Sequence, residues 1–424
     1  VDTCFNAIVR LCDEAAADLT SLDLKESSRR AYFSKESALA LKAIALLYQA
    51  SDLFNGNLDY INFVNKNGEP LFSSTKDKEK WKRAAEAAEE AIQVCLENGK
   101  HLVNDQYAST TLQTYMLNIE RSIQTWGFLS DEALLMIKGK GTEGGDDFFF
   151  YTLPDITIDP NHYLTGTSMS PSLKMVEMFY TVNGLPIDQD PSFGGGNIYA
   201  MTQETDPYYT DVVVMREDIP VLHTRREPRF YACIAADRTK WQRGPKGQEI
   251  NYNLTVEAYK GESFGSQYDI VSSTVAQNIN GYWWKKFLES ELTTKEYVVS
   301  ANRTLPIIRL AELYLMQAEA WNEYLEKPDA RVYSPLNKVR ERAGIPDVVT
   351  AWKSYSNNPE KVDNRDGMRD IIQREINLEF ALEGHRFWNL RRWKTAHIEL
   401  NEKQYGWNVL GENAQAFYND YNGP

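Results

Sequence analysis

The most regular alternation of apolar and polar positions lies between Met368 and Lys394. Apolar residues recur there at helical spacing: Ile372, Ile376 and Phe380 at steps of four, then Phe387, Leu390 and Trp393 at steps of three. This spacing predicts an amphipathic helix of several turns with an aromatic inner face. Gly384 interrupts the pattern at a cost of about 1 kcal/mol relative to Ala. It indicates either a bend or a neighbouring backbone that passes close by.

The polar faces of this predicted helix carry many charges. Three glutamates form a stripe at steps of four: Glu375, Glu379 and Glu383. Because like charges four residues apart repel on an isolated helix, the stripe predicts cationic partners from elsewhere in the fold. Three arginines of the segment are predicted to belong to the same structural ion network: Arg386, Arg391 and Arg392. Two carboxyl groups are also what a glycoside hydrolase needs, but arginine pairing favours the structural interpretation.

Helical spacing also predicts two groups of helices near the ends of the chain. Residues 1–20, 34–54, 78–96 and 106–120 form the first group, and residues 305–325 and 335–343 precede the helix at 368–394. Closely spaced alanines between residues 78 and 96 predict tight contact between helices, as in tetratricopeptide-type hairpins.

The segment between residues 121 and 300 has a different pattern. It is rich in Pro, Gly, Asp, Asn and Tyr, and only residues 170–181 indicate a clear helix. Residues 133–138 and 228–235 are predicted to be extended. The chain is therefore predicted to be mainly α-helical in three parts: a helical part at 1–120, a loop-rich part at 121–300, and a helical part at 301–424 that packs back on the first.

Composition narrows the possible partners. The net charge of −14 disfavours nucleic acid and anionic membranes but is compatible with a neutral ligand. The four cysteines form no CxxC pair, so neither a metal site nor a disulfide framework is predicted, and no cofactor is expected. There is no run of eighteen apolar residues. The chain opens with Val1 in a predicted helix, which indicates a piece of a longer protein.

One short string matches a nucleotide-binding pattern. Residues 139–144 fit G-x-G-x-x-G, which in dinucleotide-binding proteins leads into a helix that holds the pyrophosphate. The residues that follow do not have a helical pattern, so a plain turn is predicted.

Aromatic residues of the loop-rich part are the candidate ligand-binding residues. A sugar ring can stack its apolar C–H face on an aromatic side chain while polar loop residues bind its hydroxyls. Trp241 lies in a polar setting, and so do Tyr208 and Tyr209. The full candidate set is Trp241, Tyr208, Tyr209, Tyr199, Trp283 and Trp284. The alternative is that these rings belong to the hydrophobic core, and the sequence leaves both possibilities open.

Five strings, in this order along the chain, resemble patterns of the SusD/RagB family. They are residues 37–54 (A-L-x-L-K-A-x-x-x-L-Y-x-A), Arg226–Tyr231 (R-D-P-R-F-Y-like), Arg309–Asn322 (R-x-A-E-x-Y-L-x-x-A-E-A-x-N), Leu336–Gly344 (LNKVRERAG) and Glu383–Trp393 (E-G-H-R-F-W-N-L-R-R-W).

The resemblance implies a glycan-binding protein on the outer-membrane surface. Such proteins are mainly helical, are not enzymes, and pass oligosaccharides to a SusC-like TonB-dependent transporter. Their membrane attachment is a lipidated N-terminal cysteine, which would lie outside this segment. One branch of the family is linked to peptide uptake, so a peptide ligand is the alternative. The shared strings belong to the scaffold, and the candidate binding residues therefore rest on this sequence alone.

Overall fold

Helices dominate both ends of the chain. The computed structural model describes residues 1–25, 32–123, 131–138, 169–243, 252–266, 278–287 and 304–419. In chain order the helices are α1 (Asp2–Asp18), α2 (Lys35–Ala50), α3 (Glu79–Glu97), α4 (Thr111–Ile123), α5 (Leu173–Met178), α6 (Pro228–Cys233), α7 (Leu310–Tyr324), α8 (Ala330–Arg342), α9 (Val348–Tyr355), α10 (Arg365–Glu379), α11 (His385–Arg392) and α12 (Ala396–Glu399). Within the described ranges, none of the helices combines the length and the apolar character needed to cross a bilayer.

The strands are short and pair two by two. They are β1 (Ala133–Lys138), β2 (Met201–Gln203), β3 (Asp218–Pro220), β4 (Ile234–Ala236), β5 (Lys240–Arg243), β6 (Tyr252–Thr255), β7 (Tyr282–Trp284) and β8 (Thr304–Arg309). All four pairs are antiparallel: β1 with β8, β2 with β3, β4 with β7, and β5 with β6. The prediction of a mainly α-helical fold with few short strands is confirmed.

One core joins the two ends of the chain. Helices α2, α3 and α7 contribute buried alanines, namely Ala40, Ala43, Ala84, Ala85, Ala88, Ala91, Ala311 and Ala318. Small side chains let helix backbones approach closely. A capping box at the start of α2, formed by Ser34 and Ser37, satisfies the first backbone N–H groups of that helix.

A second core lies in the middle segment. Its buried aromatic residues are Phe179, Phe230, Tyr231, Tyr282, Trp407 and Phe417. The last two come from the C-terminal region, so that region packs on the middle segment too. Leu112 and Met116 of α4 also belong to this core. The boundaries at residues 120 and 300 stay a prediction.

Three segments differ from their predicted structure. The strand predicted at 228–235 is helix α6 followed by β4, because Pro228 sets the first helical turn. The helix predicted from residue 305 begins at Leu310, and the apolar residues before it form β8. Helix α9 occupies a predicted loop and is capped by the Asp347 side chain. The G-x-G-x-x-G string at 139–144 lies outside the described residues.

The segment 368–394 is two helices rather than one. Helix α10 ends at Glu379 and α11 begins at His385, with Gly384 between them at a φ of 85°. No atom lies within 4 Å of a Cβ built on Gly384, so the glycine marks a bend and not a close backbone contact. The bend reorients the second half, and Phe387, which was predicted to face inward, is 50% exposed.

Candidate functional site

The glutamate stripe of α10 is buried and paired with cations. Glu375 accepts from Arg340 Nη1 at 2.9 Å, and its other oxygen lies 2.7 Å from Arg229 Nη2. These arginines come from α8 and α6, so a single carboxylate joins three helices. The cations come from elsewhere in the fold, as the repulsion between like charges requires.

The other two glutamates share the same kind of environment. Arg309 Nη2 lies 2.9 Å from Glu379 and 2.8 Å from Glu383. Lys286 lies 2.7 Å from Glu383, and Arg342 also pairs with Glu379. Burial alone would raise the pKa of Glu379, but Arg342 and Arg309 hold it well below its usual value. A general acid needs a raised pKa, so this arrangement does not suit glycoside hydrolysis.

The three arginines predicted to join this network have their partners elsewhere. Arg386 binds Glu399 at 2.8 Å, and Arg391 donates to the Phe387 carbonyl at 2.7 Å. Arg392 is buried and donates to Glu319 of α7 at 2.5 and 2.7 Å. Arg392 therefore connects α11 to α7, in a second ion cluster separate from the glutamate stripe.

Four of the candidate aromatic residues lie in the core. They are Trp241, Trp283, Trp284 and Tyr209. The Trp241 ring, 2% exposed, packs 5.7 Å from the Phe264 ring, and β5 carries it into the second core. Trp283 and Trp284 lie on β7, which pairs with β4. The burial of these indoles favours the core interpretation that the sequence left open, and a role of the four rings in ligand binding stays a prediction.

The remaining two candidates are more accessible. Tyr199 is half-buried, donates its hydroxyl to Glu177, and packs edge-on against Trp407 at 5.7 Å. Tyr208 is 40% exposed and stacks edge-on against Tyr209 at 5.0 Å. Asp206 caps its short helical turn by accepting from the Tyr208 backbone N–H at 3.0 Å. Tyr208 is thus the candidate ring with the largest free surface.

A polar cleft lies beside Tyr208, between the start of α4 and the end of α8. Its volume is about 460 Å³. Hydroxyl, amide and charged side chains line it: Asn104, Ser109, Thr110, Thr114, Tyr115, Asn118 and Arg342. Thr110 Oγ1 donates to Asp211 at 2.8 Å, which ties the start of α4 to the Tyr208 loop. Sequence reasoning missed this cleft because its residues follow no periodic or aromatic pattern.

Two features suit the cleft to a hydroxyl-rich ligand. Arg342 is buried, and its Nε and Nη1 make no hydrogen bond within the described part of the chain. Buried donors of this kind are costly unless a ligand or water accepts from them. Burial, with Tyr115 nearby, raises the pKa of Tyr208, so this phenol stays a neutral donor and acceptor near pH 7.

A second cavity, the helix pocket, lies among α2, α7, α10 and α11. It has a volume of about 310 Å³, and its walls are apolar and polar in equal measure; the apolar residues include Ile44, Leu47, Leu315, Met316 and Ile376. Its polar lining comes from Glu312, Glu383, His385, Asn389 and Arg392, and Trp388 completes it. The family-like string at 383–393 therefore contributes to a pocket as well as to the scaffold.

One group of described side chains has the spacing of metal ligands. Ligand atoms of His101, Asp105 and Asp131 lie within 4.8 Å of one another. His101 Nδ1 lies 3.2 Å from the Gly99 carbonyl, which would leave Nε2 available. The two carboxylates belong to surface-accessible residues, and such groups are common without a bound ion, so we assign no metal site here.

Comparison with known proteins identifies the fold. The SusD family profile matches residues 132–424. A solved protein designated BT4246 is 24% identical, with a TM-score of 0.76 over 98% of this chain and 70% of its own. A SusD-like protein from Bacteroides fragilis is 20% identical, with a TM-score of 0.60 over 93% and 60% of the two chains. A SusD-like carbohydrate binding protein from the same species is 19% identical, with a TM-score of 0.57 over 95% and 60%. No match was found among the curated proteins.

Proposed function

The chain belongs to the SusD family, and we propose that it captures oligosaccharide or polysaccharide nutrients at the cell surface. The family consists of non-catalytic binding proteins associated with the outer membrane. Hand-over to a SusC-like TonB-dependent transporter and attachment through a lipidated cysteine outside this segment are parts of the proposal. A protein of the same fold, 14% identical with a TM-score of 0.51, was solved with a xylogluco-oligosaccharide, which supports a glycan as the ligand class.

The polar cleft is the proposed glycan site, and one observation carries this assignment. Hydroxyl, amide and guanidinium groups line a cavity of about 460 Å³, and its Thr110 is hydrogen-bonded to Asp211 of the segment that carries the exposed ring of Tyr208. Sugars need this combination, because their hydroxyls require hydrogen-bond partners and their C–H faces stack on aromatic rings. Thr110 holds the Tyr208 loop to α4 through Asp211, so ring and cleft keep a fixed separation.

Charge supports a neutral glycan over an acidic one. Arg342 contributes a cation to the cleft, but it is paired with Glu379 and lies 3.7 Å from Glu132. Glu341 adds a negative charge to the lining. A carboxylate or sulfate on the sugar would therefore meet an arginine that is already neutralised, whereas a neutral glycan needs no cation there.

Affinity electrophoresis and calorimetry against a panel of neutral and acidic glycans test the proposal. We expect a neutral glycan to bind, and Tyr208→Ala to weaken it about tenfold, by analogy with stacking on aromatic rings. Tyr355→Ala is the matched control, because that tyrosine is 44% exposed and belongs to α9. If no glycan binds and a peptide does, the ligand class is wrong. If a glycan binds equally to the Tyr208 variant, the site is wrong.

A further inference from the structure

The helix pocket contains a carboxyl group with unused hydrogen-bonding capacity. Glu312 lies in the first turn of α7, and its side chain is 16% exposed. Its Oε1 lies 3.6 Å from His385 Nδ1, and its buried Oε2 has no hydrogen-bond partner among the residues that the structure describes. A buried carboxyl oxygen without a donor is costly. The pocket therefore offers an acceptor that a bound ligand could satisfy.

The other charged groups of the pocket are already occupied. Glu383 accepts from Arg309 and lies 2.7 Å from Lys286. Arg392 directs Nη1 and Nη2 at Glu319 and donates from Nε to Asn389 at 2.8 Å. Their charges are balanced within the protein. Glu312 is thus the acidic group of this lining that remains available to a ligand.

The lining of the same pocket includes an exposed aromatic ring. Trp388 is 58% exposed and belongs to the pocket lining through α11. The face of an indole ring attracts cations more strongly than that of any other side chain. A carboxylate and an indole at one cavity form a pair that recognises ammonium groups.

The apolar walls restrict the rest of the ligand. Leu47, Leu315 and Met316 offer no hydrogen bonds. A polyhydroxylated ring would leave the hydroxyls that face these three residues unpaired, which is unfavourable. An aliphatic body avoids that cost and gains from contact with the same walls. The pocket therefore differs in chemistry from the polar cleft.

We propose that the helix pocket binds a protonated primary amine carried on a short aliphatic chain. The ammonium group contacts the Glu312 carboxylate and the Trp388 ring, and the chain lies against the apolar walls. Two sources share this chemistry, a free alkylamine and the side chain of a lysine residue. The site is independent of the glycan proposal, since it lies among different helices and rests on different residues.

Ligand-observed NMR with pairs of isosteres tests this inference. The amines are n-pentylamine and Nα-acetyl-lysine amide, and the neutral counterparts are 1-pentanol and Nα-acetyl-norleucine amide. We expect the amines to bind about tenfold more tightly than their counterparts, since charge-assisted and cation–π contacts are lost without the ammonium group. Preference for the pentylamine over the lysine amide would indicate a free amine, and the reverse order a lysine side chain. Equal binding of amines and neutral isosteres overturns the proposal.

Variants of the two recognition residues complete the test. Trp388→Ala and Glu312→Gln are both expected to reduce amine binding about tenfold. Phe387→Ala is the matched control, because that neighbouring ring is 50% exposed on the same helix and is not part of the pocket lining. Circular dichroism confirms that each variant is folded. Amine binding that survives in both recognition variants, or that is lost equally in the Phe387 variant, contradicts the proposal.

Discussion

Arg340 and Glu375 form an ion pair of 2.9 Å in which neither side chain is exposed to solvent. The pair joins α8 to α10, and Arg229 of α6 contacts the second oxygen of the same carboxylate. Breaking a buried pair leaves an uncompensated charge, which costs far more than the pair itself contributes. The helical scaffold and the middle segment thus depend on one carboxylate.

Replacement of Glu375 is expected to destabilise the fold strongly. Glu375→Ala removes the carboxylate paired with the buried Arg340, and Arg229 keeps only Glu227 and Glu379, so the free energy of unfolding should fall by about 3–5 kcal/mol. Urea denaturation followed by circular dichroism measures this free energy of unfolding. Glu14→Ala is the control, because its pair with Arg10 is largely exposed and contributes little. Equal stability of the two variants would show that the buried cluster is not essential.

Trp241→Ala is expected to affect stability rather than ligand binding. The indole is 2% exposed, and removing it opens a cavity in the second core that should cost about 3–5 kcal/mol. Tyr208→Ala, at an accessible ring, should leave the thermal midpoint nearly unchanged. Calorimetry on folded protein should show glycan affinity preserved in the Trp241 variant. A Trp241 variant of full stability that has lost glycan binding would return this residue to the binding site.

Acid should destabilise the protein in part through His223. Burial and the neighbouring Arg226 lower the pKa of His223 from 6.5 to about 3. Below pH 6.5 the unfolded chain takes up a proton that the folded protein does not bind. Stability from this residue is therefore present above pH 6.5 and is lost, by up to about 1.4 kcal/mol per pH unit, as the pH falls toward 3.

Chemical denaturation at pH 7 and pH 5 measures this effect. His223→Gln should lose less stability between the two pH values than the parent protein, whatever its stability at pH 7. His397→Gln, at an exposed histidine, should keep the parental pH dependence. An unchanged pH dependence in the His223 variant would contradict the expectation.

Gly344→Ala should disturb the polar cleft. Gly344 has a φ of 74°, and an added Cβ would lie 2.5 Å from the ring of Tyr115, which lines the cleft. Gly99→Ala is the matched control, with a φ of 75° and no atom within 4 Å of the added Cβ. Both variants carry backbone strain of about 1 kcal/mol. The additional loss of stability in Gly344→Ala, together with weaker glycan binding, would measure the clash with Tyr115.

Much of the scaffold could be predicted from residue spacing alone. Helices α1 to α4 and α8 follow from apolar periodicity, since this local signal agrees with the tertiary fold. The break before α11 was visible as Gly384, but the spacing could not choose between a bend and a close contact. The prediction that Phe387 faces inward is wrong because it continues one helical period through that bend. Charge repulsion within the glutamate stripe predicts that the stripe has cationic partners. It does not predict which residues of the chain those partners are.

Site residues were harder to predict. A Trp in a polar stretch of sequence can still be buried, because a short strand such as β5 alternates its faces and pairing decides which face is covered. Trp241 lies on such a covered face and is 2% exposed. The polar cleft combines Ser, Thr and Asn residues in and before α4 with Glu341 and Arg342 of α8, which is distant in sequence. Glu312 is one of many glutamates until its place in the lining of the helix pocket is known.

The alanine-lined contact between α3 and α7 has a consequence for biosynthesis. The ribosome releases α3 long before α7, which begins at Leu310, so the buried faces of α2 and α3 emerge without their partner. The first core can close only after the whole middle segment has been translated. Long-range contacts of this kind slow folding and leave apolar helix faces open to association. We therefore expect the nascent chain to depend on chaperones until α7 is complete.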